Sequence, residues 1–101
     1  IFYIYGTKGE NPRGNHANRR SEFVLINLAG KCKVRVDDGK GRQEVYELLA
    51  PDFGIYIPNM CWKEMYDFSP DAVLLVLASE HYDPEEYIYS YEEFVDSIEK
   101  R

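Results

Sequence analysis

The stretch from residue 7 to residue 22 holds the side chains best suited to acid–base or ligand chemistry. It contains His16, Asn18 and a basic cluster that includes Arg13. Imidazole titrates close to neutral pH and can act as a base, whereas arginine stays charged and suits phosphate. A loop entering a strand here would place His16 and Asn18 on one face, because strand side chains alternate. The alternative is a charged hairpin loop in which His16 has no chemical role.

Length and charge limit the class of protein. The 101 residues make one domain with a single core, and the formal charge of −6 argues against a nucleic-acid partner, which would need a basic face. Clustering of the basic residues still leaves room for a small anionic ligand. The longest apolar run, residues 72–78, is far shorter than the roughly 20 residues of a membrane span, so no membrane partner is expected.

The cysteines indicate a reducing compartment. Cys32 and Cys61 are the only two, and neither lies in a Cys-x-x-Cys pair, so we expect free thiols in the cytoplasm. The chain starts with a strand-like segment, residues 1–5, without a basic leader or an initiator methionine. We therefore expect it to begin inside a longer protein.

Alternation of apolar and polar residues predicts β structure up to about residue 79. Residues 22–29 and 31–37 are expected to pair across Ala29 and Gly30, and the sequence from Asp38 to Gly41 predicts a tight turn. The run 72–78 is expected to be a strand buried on both faces. Short strands at this spacing predict an all-β sandwich or barrel.

The sequence changes character after Glu80. Asp83 followed by Pro84 and two glutamates predicts a helix N-terminus, so one or two short C-terminal helices are expected. Apolar residues at helical spacing form one stripe, which we interpret as a packing face: Tyr87, Ile88, Tyr91, Phe94, Val95 and Ile98.

Two motifs resemble the two-part cupin signature: His16-x-Asn18-x-x-x-Glu22 and Gly54-x-x-x-Pro58-x-x-x-x-Lys63. In cupins, His, His and Glu of the first part and His of the second hold a metal. Here an amide and a lysine replace two imidazoles, and a lysine ammonium cannot bind a divalent ion, so no metal is expected. The resemblance implies a metal-free cupin-type double-stranded β-helix, or jelly roll, with His16, Asn18 and Lys63 converging inside it.

A closer resemblance covers nearly the whole chain. Blocks in the same order are similar to the dTDP-4-keto-6-deoxyhexose 3,4-ketoisomerases, jelly-roll isomerases of deoxysugar biosynthesis. The blocks are Thr7-Lys8-Gly9-Glu10, Pro12-Arg13-Gly14, His16-Ala17, Val36-x-Asp38-Gly39, Gly54-Ile55-Tyr56, Trp62-x-Glu64-Met65, Asp67-Phe68-Ser69 and Val76-Leu77-Ala78-Ser79. The resemblance implies that residues 1–101 are a single cupin domain that lacks the family's N-terminal strands. Those strands are exchanged between the subunits of a homodimer.

The resemblance also implies a reaction and three catalytic residues. The family moves a carbonyl from C4 to C3 of the sugar through an enediolate, with no cofactor. His16 would be the base, Lys63 would stabilise the enediolate, and Asn18 would bind the sugar or orient His16. The family pattern has histidine at the positions of Asn18 and Lys63, so His16 is the one imidazole left in the expected site.

Four more residues are expected to bind the substrate, a dTDP-linked 4-keto-6-deoxyhexose. Arg13 would hold the diphosphate, and Glu64 belongs to a matching block. Tyr3 and Tyr5 alternate along the first strand and could supply a phenolic acid, although cross-strand packing is the simpler role. Two alternative functions remain open, a 3,5-epimerase-type cupin isomerase and a non-catalytic sugar-nucleotide-binding domain.

Overall fold

The structure is a computed structural model that describes residues 1–7 and 12–100. Nearly all of its regular elements are strands. In chain order they are β1 (Phe2–Tyr5), β2 (Arg13–Asn18), β3 (Phe23–Ala29), β4 (Cys32–Asp37), β5 (Gln43–Leu48), β6 (Ile55–Ile57), β7 (Trp62–Tyr66), β8 (Val73–Ala78), a 3₁₀ turn (Pro84–Glu86), β9 (Tyr87–Ile88) and α1 (Tyr91–Glu99). None of the helices described is long and apolar enough to cross a membrane.

The strands form two antiparallel sheets that face each other. One sheet has the order β1-β8-β3-β6, and the other has the order β5-β4-β7-β2-β9. Consecutive strands often lie in different sheets, as in a jelly roll. The predicted all-β fold with a short C-terminal helix is confirmed.

Two apolar clusters hold the sheets and the helix. The main core lies between the sheets, where Leu25, Val34, Leu48, Ile57 and Leu74 are almost fully buried. A second cluster lies under α1 and contains Ala17, Trp62, Ile88, Phe94 and Ile98. The helical stripe predicted for Phe94, Val95 and Ile98 is therefore a packing face.

The expected pairing of residues 22–29 with residues 31–37 is wrong. β3 pairs with β6 and β8, whereas β4 pairs with β5 and β7. The Asn27 amide donates to the carbonyls of Ala29 and Gly30, and Gly30 has a φ of 66°. A Cβ at Gly30 would lie 2.3 Å from Ser69 Oγ, so this corner needs glycine to pass from one sheet to the other. Each strand then buries its own apolar face in the shared core.

The long loop predicted before residue 22 contains a strand of its own. β2 carries His16, Ala17 and Asn18, which have little intrinsic preference for β structure, but it pairs with β7 and β9. Part of the predicted loop, residues 8–11 with Lys8, lies outside the described residues. Tertiary pairing therefore decides the structure of this segment, which the local sequence did not indicate.

Two other details differ from the predictions. Asp83 does cap a helix, but only the single 3₁₀ turn, and Tyr87 and Ile88 belong to β9 instead of a helix. The α-helix begins after Ser90, whose side chain accepts a hydrogen bond from the Glu93 backbone. In β8 only the inner face is buried, because Leu75 and its outward-facing neighbours stay half-buried.

Candidate active site

A cavity of about 300 Å³ lies between the two sheets. The five-stranded sheet and the segment after β9 give it polar and aromatic side chains, Arg13, His16, Lys63, Tyr87 and Tyr89. The four-stranded sheet closes the opposite side with an apolar wall, Phe2, Ile4, Phe23, Leu25 and Val76. Acid–base groups on one side and an apolar surface on the other are typical of a small-molecule site.

His16 lies on β2, directly opposite Lys63 of β7. Its Nδ1 is 2.9 Å from the carbonyl oxygen of Gly14. A carbonyl can only accept, so Nδ1 must carry the proton, and in the neutral ring Nε2 keeps its lone pair. This short-range contact depends on a bulge at residues 14–16, where Gly14 and Asn15 both have positive φ. The backbone therefore holds His16 in the tautomer that a base needs.

The surroundings of His16 also favour its neutral form. Burial lowers its pKa below the usual 6.5, and the charge on Lys63 acts in the same direction. The Gly14 carbonyl, Asn18 and Glu86 oppose this shift without reversing it. The Tyr87 ring lies beside the imidazole, with 4.8 Å between centroids. At neutral pH the imidazole is therefore available to take up a proton.

Lys63 is the buried cation of the cavity, with only 4% of its surface exposed. Its Nζ donates to Asn18 Oδ1 at 2.9 Å and lies 4.4 Å from the centre of the Phe23 ring. Burial lowers its pKa from 10.5 to about 8, against the electrostatic influence of Cys61 and Glu86. The convergence predicted for His16, Asn18 and Lys63 is what the structure has.

The orientation of the Asn18 side chain follows from its neighbour. A lysine ammonium has three donors and no acceptor, so the amide oxygen must be the atom that faces it. The amide nitrogen, Nδ2, is buried and has no hydrogen-bond partner within residues 1–7 and 12–100. Asn18 therefore offers a buried, unused donor close to His16.

Four residues expected in the site do not line this cavity. Asn18 acts on it only through its hydrogen bond with Lys63. Tyr3 and Tyr5 point away from it, because Phe2 and Ile4 occupy the inward face of β1, and both tyrosines are largely exposed. Glu64 lies on the opposite face of β7 from Lys63, where it accepts from Arg35 and from Trp62 Nε1. Arg13 does line the cavity, at its exposed edge. His81 is exposed, as expected.

The sequence interpretation missed Glu86, Tyr87 and Tyr89. Glu86 is 1% exposed, and its carboxylate accepts hydrogen bonds from the backbone of Arg20 and Ser21 and from the Ser21 hydroxyl. Burial opposes its ionisation, but these donors outweigh burial and hold its pKa below the usual value. Tyr87 was interpreted as part of a helical packing stripe and Tyr89 was not singled out, because no sequence signal separated either tyrosine from packing residues.

The side chains present do not fit a divalent metal. Within the described residues no three of the histidine, cysteine, aspartate and glutamate side chains are grouped as ligands. Glu22, which matched the cupin signature, is exposed and accepts from the Tyr56 hydroxyl, away from His16. The ammonium of Lys63 lies beside His16, where it would repel a cation. Metal independence stays a prediction of this donor set.

Two facing antiparallel sheets with a histidine and a buried lysine in the cavity between them define a cupin-type jelly-roll protein. Residues 1–99 match the model of the family described as FdtA, WxcM-like, C-terminal. The chain belongs to this family.

Known relatives agree with this assignment. The chain is 47% identical to a TDP-4-oxo-6-deoxy-alpha-D-glucose-3,4-oxoisomerase from Aneurinibacillus thermoaerophilus, over 99% of this chain and 71% of that protein. WlaRA, a TDP-fucose-3,4-ketoisomerase from Campylobacter jejuni, matches with a TM-score of 0.91 and 46% identity, covering 95% of this chain and 70% of the other. A mutant of the 3,4-ketoisomerase QdtA from Thermoanaerobacterium thermosaccharolyticum, in complex with TDP-4-keto-6-deoxyglucose, matches with a TM-score of 0.94 and 38% identity, covering 99% and 72%.

Proposed function

We propose that this protein is a sugar-nucleotide isomerase that converts a TDP-4-keto-6-deoxyhexose to its 3-keto isomer. The family and its 3,4-ketoisomerase relatives support this reaction. The main structural support for this reaction is that one cavity contains both His16, in the tautomer that a base needs, and the buried ammonium of Lys63. We further propose a role in deoxysugar biosynthesis for a surface polysaccharide or glycan, in the cytoplasm, where Cys32 and Cys61 would remain the free thiols that the structure contains.

The reaction requires a base and a group that tolerates negative charge on oxygen. Nε2 of His16 removes the C3 proton, and the electrons move onto the C4 oxygen to form the enediolate. The Lys63 ammonium lies in a water-poor cavity, where a fixed cation stabilises such an oxyanion strongly. Asn18 holds the Lys63 ammonium in place through its amide oxygen. Transfer of the C3 hydroxyl proton to the C4 oxygen, together with reprotonation at C4, then gives the 3-ketone.

The activity can be tested with the full-length protein and TDP-4-keto-6-deoxyglucose in deuterated water, followed by proton NMR. A ketoisomerase gives the 3-keto product, which carries deuterium at C4 when the protonated His16 exchanges with solvent before it returns the proton. Exchange at C5 without carbonyl migration would support a 3,5-epimerase-type isomerase instead. Binding without any exchange would indicate a non-catalytic sugar-nucleotide-binding domain.

We expect Arg13 to bind the diphosphate at the exposed edge of the cavity. Arginine forms charge-assisted hydrogen bonds that are present in the ground state and the transition state alike. Arg13→Ala should therefore raise KM by roughly 10- to 100-fold and change kcat much less. Steady-state kinetics checks this split. Arg42→Ala is the control, because Arg42 is exposed and pairs with Glu44 away from the cavity. A large fall in kcat at unchanged KM would contradict the role of Arg13.

We also propose that the protein forms a homodimer whose subunits exchange N-terminal strands, as the resemblance to the 3,4-ketoisomerases implies. The outward face of the β1-β8-β3-β6 sheet supports this, because it is apolar across all four strands. Tyr3 pairs with Leu75, Leu75 with Ile26, and Val24 with Tyr56. Tyr3 and Tyr56 are each more than half exposed. An apolar face of this extent indicates a protein partner.

Sedimentation of the full-length protein at micromolar concentration tests the dimer. We expect a dimer for the parent protein and a shift to monomer for Leu75→Glu, which places a charge in the middle of the apolar face. Leu49→Glu is the control, because Leu49 is an exposed leucine that lies outside this sheet. A monomeric parent protein, or equal behaviour of the two variants, would count against this interface.

A further inference from the structure

The proposed reaction moves two hydrogens, and His16 accounts for only one of them. One hydrogen passes from C3 to C4. The other must leave the C3 hydroxyl and appear on the C4 hydroxyl, because the carbonyl and hydroxyl exchange places. A second proton-transfer group must therefore reach both oxygens. The inference that follows rests on the proposed function and identifies this group.

We propose that Lys63 carries the proton between the two sugar oxygens and that Asn18 is its positioning residue. In the first step His16 takes the C3 proton, a C3–C4 double bond forms, and the C4 oxygen takes a proton from Nζ. In the second step the neutral amine takes the proton of the C3 hydroxyl, the C3 carbonyl forms, and His16 returns its proton to C4. Both side chains end in their starting states, so the cycle needs no further reactant.

The geometry gives Lys63 the contacts that this role requires. It lines the cavity directly opposite His16 in the β2–β7 pair. One hydrogen bond fixes Nζ to Asn18 Oδ1, which leaves two of the three ammonium hydrogens for the substrate. A lysine held at its tip by a buried amide cannot swing out to solvent, because its side chain is 4% exposed. Nζ is therefore held inside the cavity with donors to spare.

The charges around Lys63 couple the two proton transfers. Three titratable groups influence it or are influenced by it: His16 on β2, Glu86 in the 3₁₀ turn and Cys61 just before β7. The Lys63 charge lowers the pKa of His16, so loss of that charge makes His16 a stronger base in the same step. In the cycle above one of the two side chains is always charged, and the total charge in the cavity stays constant. The low-polarity surroundings favour such an exchange over the build-up of a second charge.

The acidity of Lys63 suits proton transfer near neutral pH. Burial lowers its pKa to about 8, so it is protonated at pH 7 but gives up its proton far more readily than an exposed lysine. Activity should therefore fall as pH rises through about 8, where the ammonium is lost. It should also fall in acid, below the ordinary histidine value of 6.5, where His16 becomes charged. A lysine that served only for packing would give no such limb at high pH.

Lys63→Arg separates proton transfer from simple charge stabilisation. Arginine keeps the positive charge but does not release a proton, so turnover should fall by at least about a hundredfold. Deuterium exchange at C3 should fall less, because the charge still stabilises the enediolate. The control is Lys33→Arg, since Lys33 is half-exposed on β4 and pairs with Asp67. Turnover of Lys63→Arg within about threefold of the parent rate would overturn the proposal.

Asn18→Asp gives an independent test that does not require replacing the lysine. A carboxylate beside Nζ should raise the pKa of Lys63 and move the high-pH limb of kcat upward by about one unit or more. The proposal would be overturned if kcat of the parent protein did not fall at high pH, or if this fall occurred at the same pH in Asn18→Asp. This test holds even if Lys63→Arg does not fold. A parent protein without turnover would instead refute the proposed function, so the two failures are distinguishable.

Discussion

His16→Asn should leave nucleotide-sugar binding within a few-fold of the parent and lower turnover by at least about a hundredfold. That is the usual scale for removing general acid–base help. The amide keeps the size of the site but has no lone pair that takes up a proton at neutral pH. C3 exchange in deuterated water should be lost to the same extent, because His16 acts in the first step. Calorimetry measures the binding, proton NMR measures the turnover, and mass spectrometry measures the deuterium exchange at C3.

His81→Asn is the matched control for this variant, because His81 is exposed and outside the cavity. It should leave turnover, binding and exchange unchanged. If His16→Asn still exchanged the C3 proton near the parent rate, the base would be another residue. Tyr87 and Tyr89 would then be the next candidates, because both line the cavity and lie within 6.0 Å of the imidazole, centroid to centroid. Tyr3 and Tyr5 would not, because their side chains point outward.

Glu86→Ala should lower the free energy of unfolding by about 3 kcal/mol. The substitution leaves the backbone N–H of Ser21 and its hydroxyl without their acceptor in a buried place, and each unsatisfied donor is costly. Glu86→Gln should cost only about 1 kcal/mol, because an amide oxygen still accepts from the backbone. Chemical denaturation of the parent and both variants measures the difference. Equal stability of the alanine and glutamine variants would contradict this role of the carboxylate.

The same carboxylate should shape stability in acid. Hydrogen bonding holds the pKa of Glu86 in the folded state below its ordinary value of 4.5, so its contribution is complete above about pH 4.5. This contribution is lost as pH falls through the folded-state value. Glu86→Gln has no charge to lose there, so its denaturation midpoint should fall less steeply with acid than that of the parent protein.

The sequence predicted the fold where its signals were local. The strands β4 and β5, the turn after Asp38 and the strand β8 formed at the predicted positions, although β8 is buried on one face only. The placement of β3 and β4 in different sheets could not be predicted from the local sequence. It depends on the contact of Gly30 with Ser69, which is remote in sequence. The strand β2 likewise exists because β7 and β9 pair with it, not because its residues favour β structure.

The candidate site shows the same division. The spacing of His16 and Asn18 correctly predicted that both face inward, and the cupin resemblance placed Lys63 beside them. Glu86 and Tyr87 were missed because their roles arise from the 3₁₀ turn and β9, which pack against β2. Glu64 was expected in the site because it belongs to a block that matches the ketoisomerase family, and it is next to Lys63 in sequence. Neighbouring residues on a strand face opposite ways, which explains why it lies outside.

The separation of the cavity into a polar side and an apolar wall has a consequence for evolution and engineering. The proton-transferring groups that we propose, His16 and Lys63, belong to β2 and β7, whereas Phe2, Ile4 and Val76 of the wall belong to the other sheet. We expect substitutions at these three positions to reshape the space beside the sugar while His16, Asn18 and Lys63 keep their places. Phe23 should be kept, because its ring lies against the Lys63 ammonium. Variant libraries at these three wall residues should therefore change which sugar is preferred. The acid–base residues would stay the same in every variant.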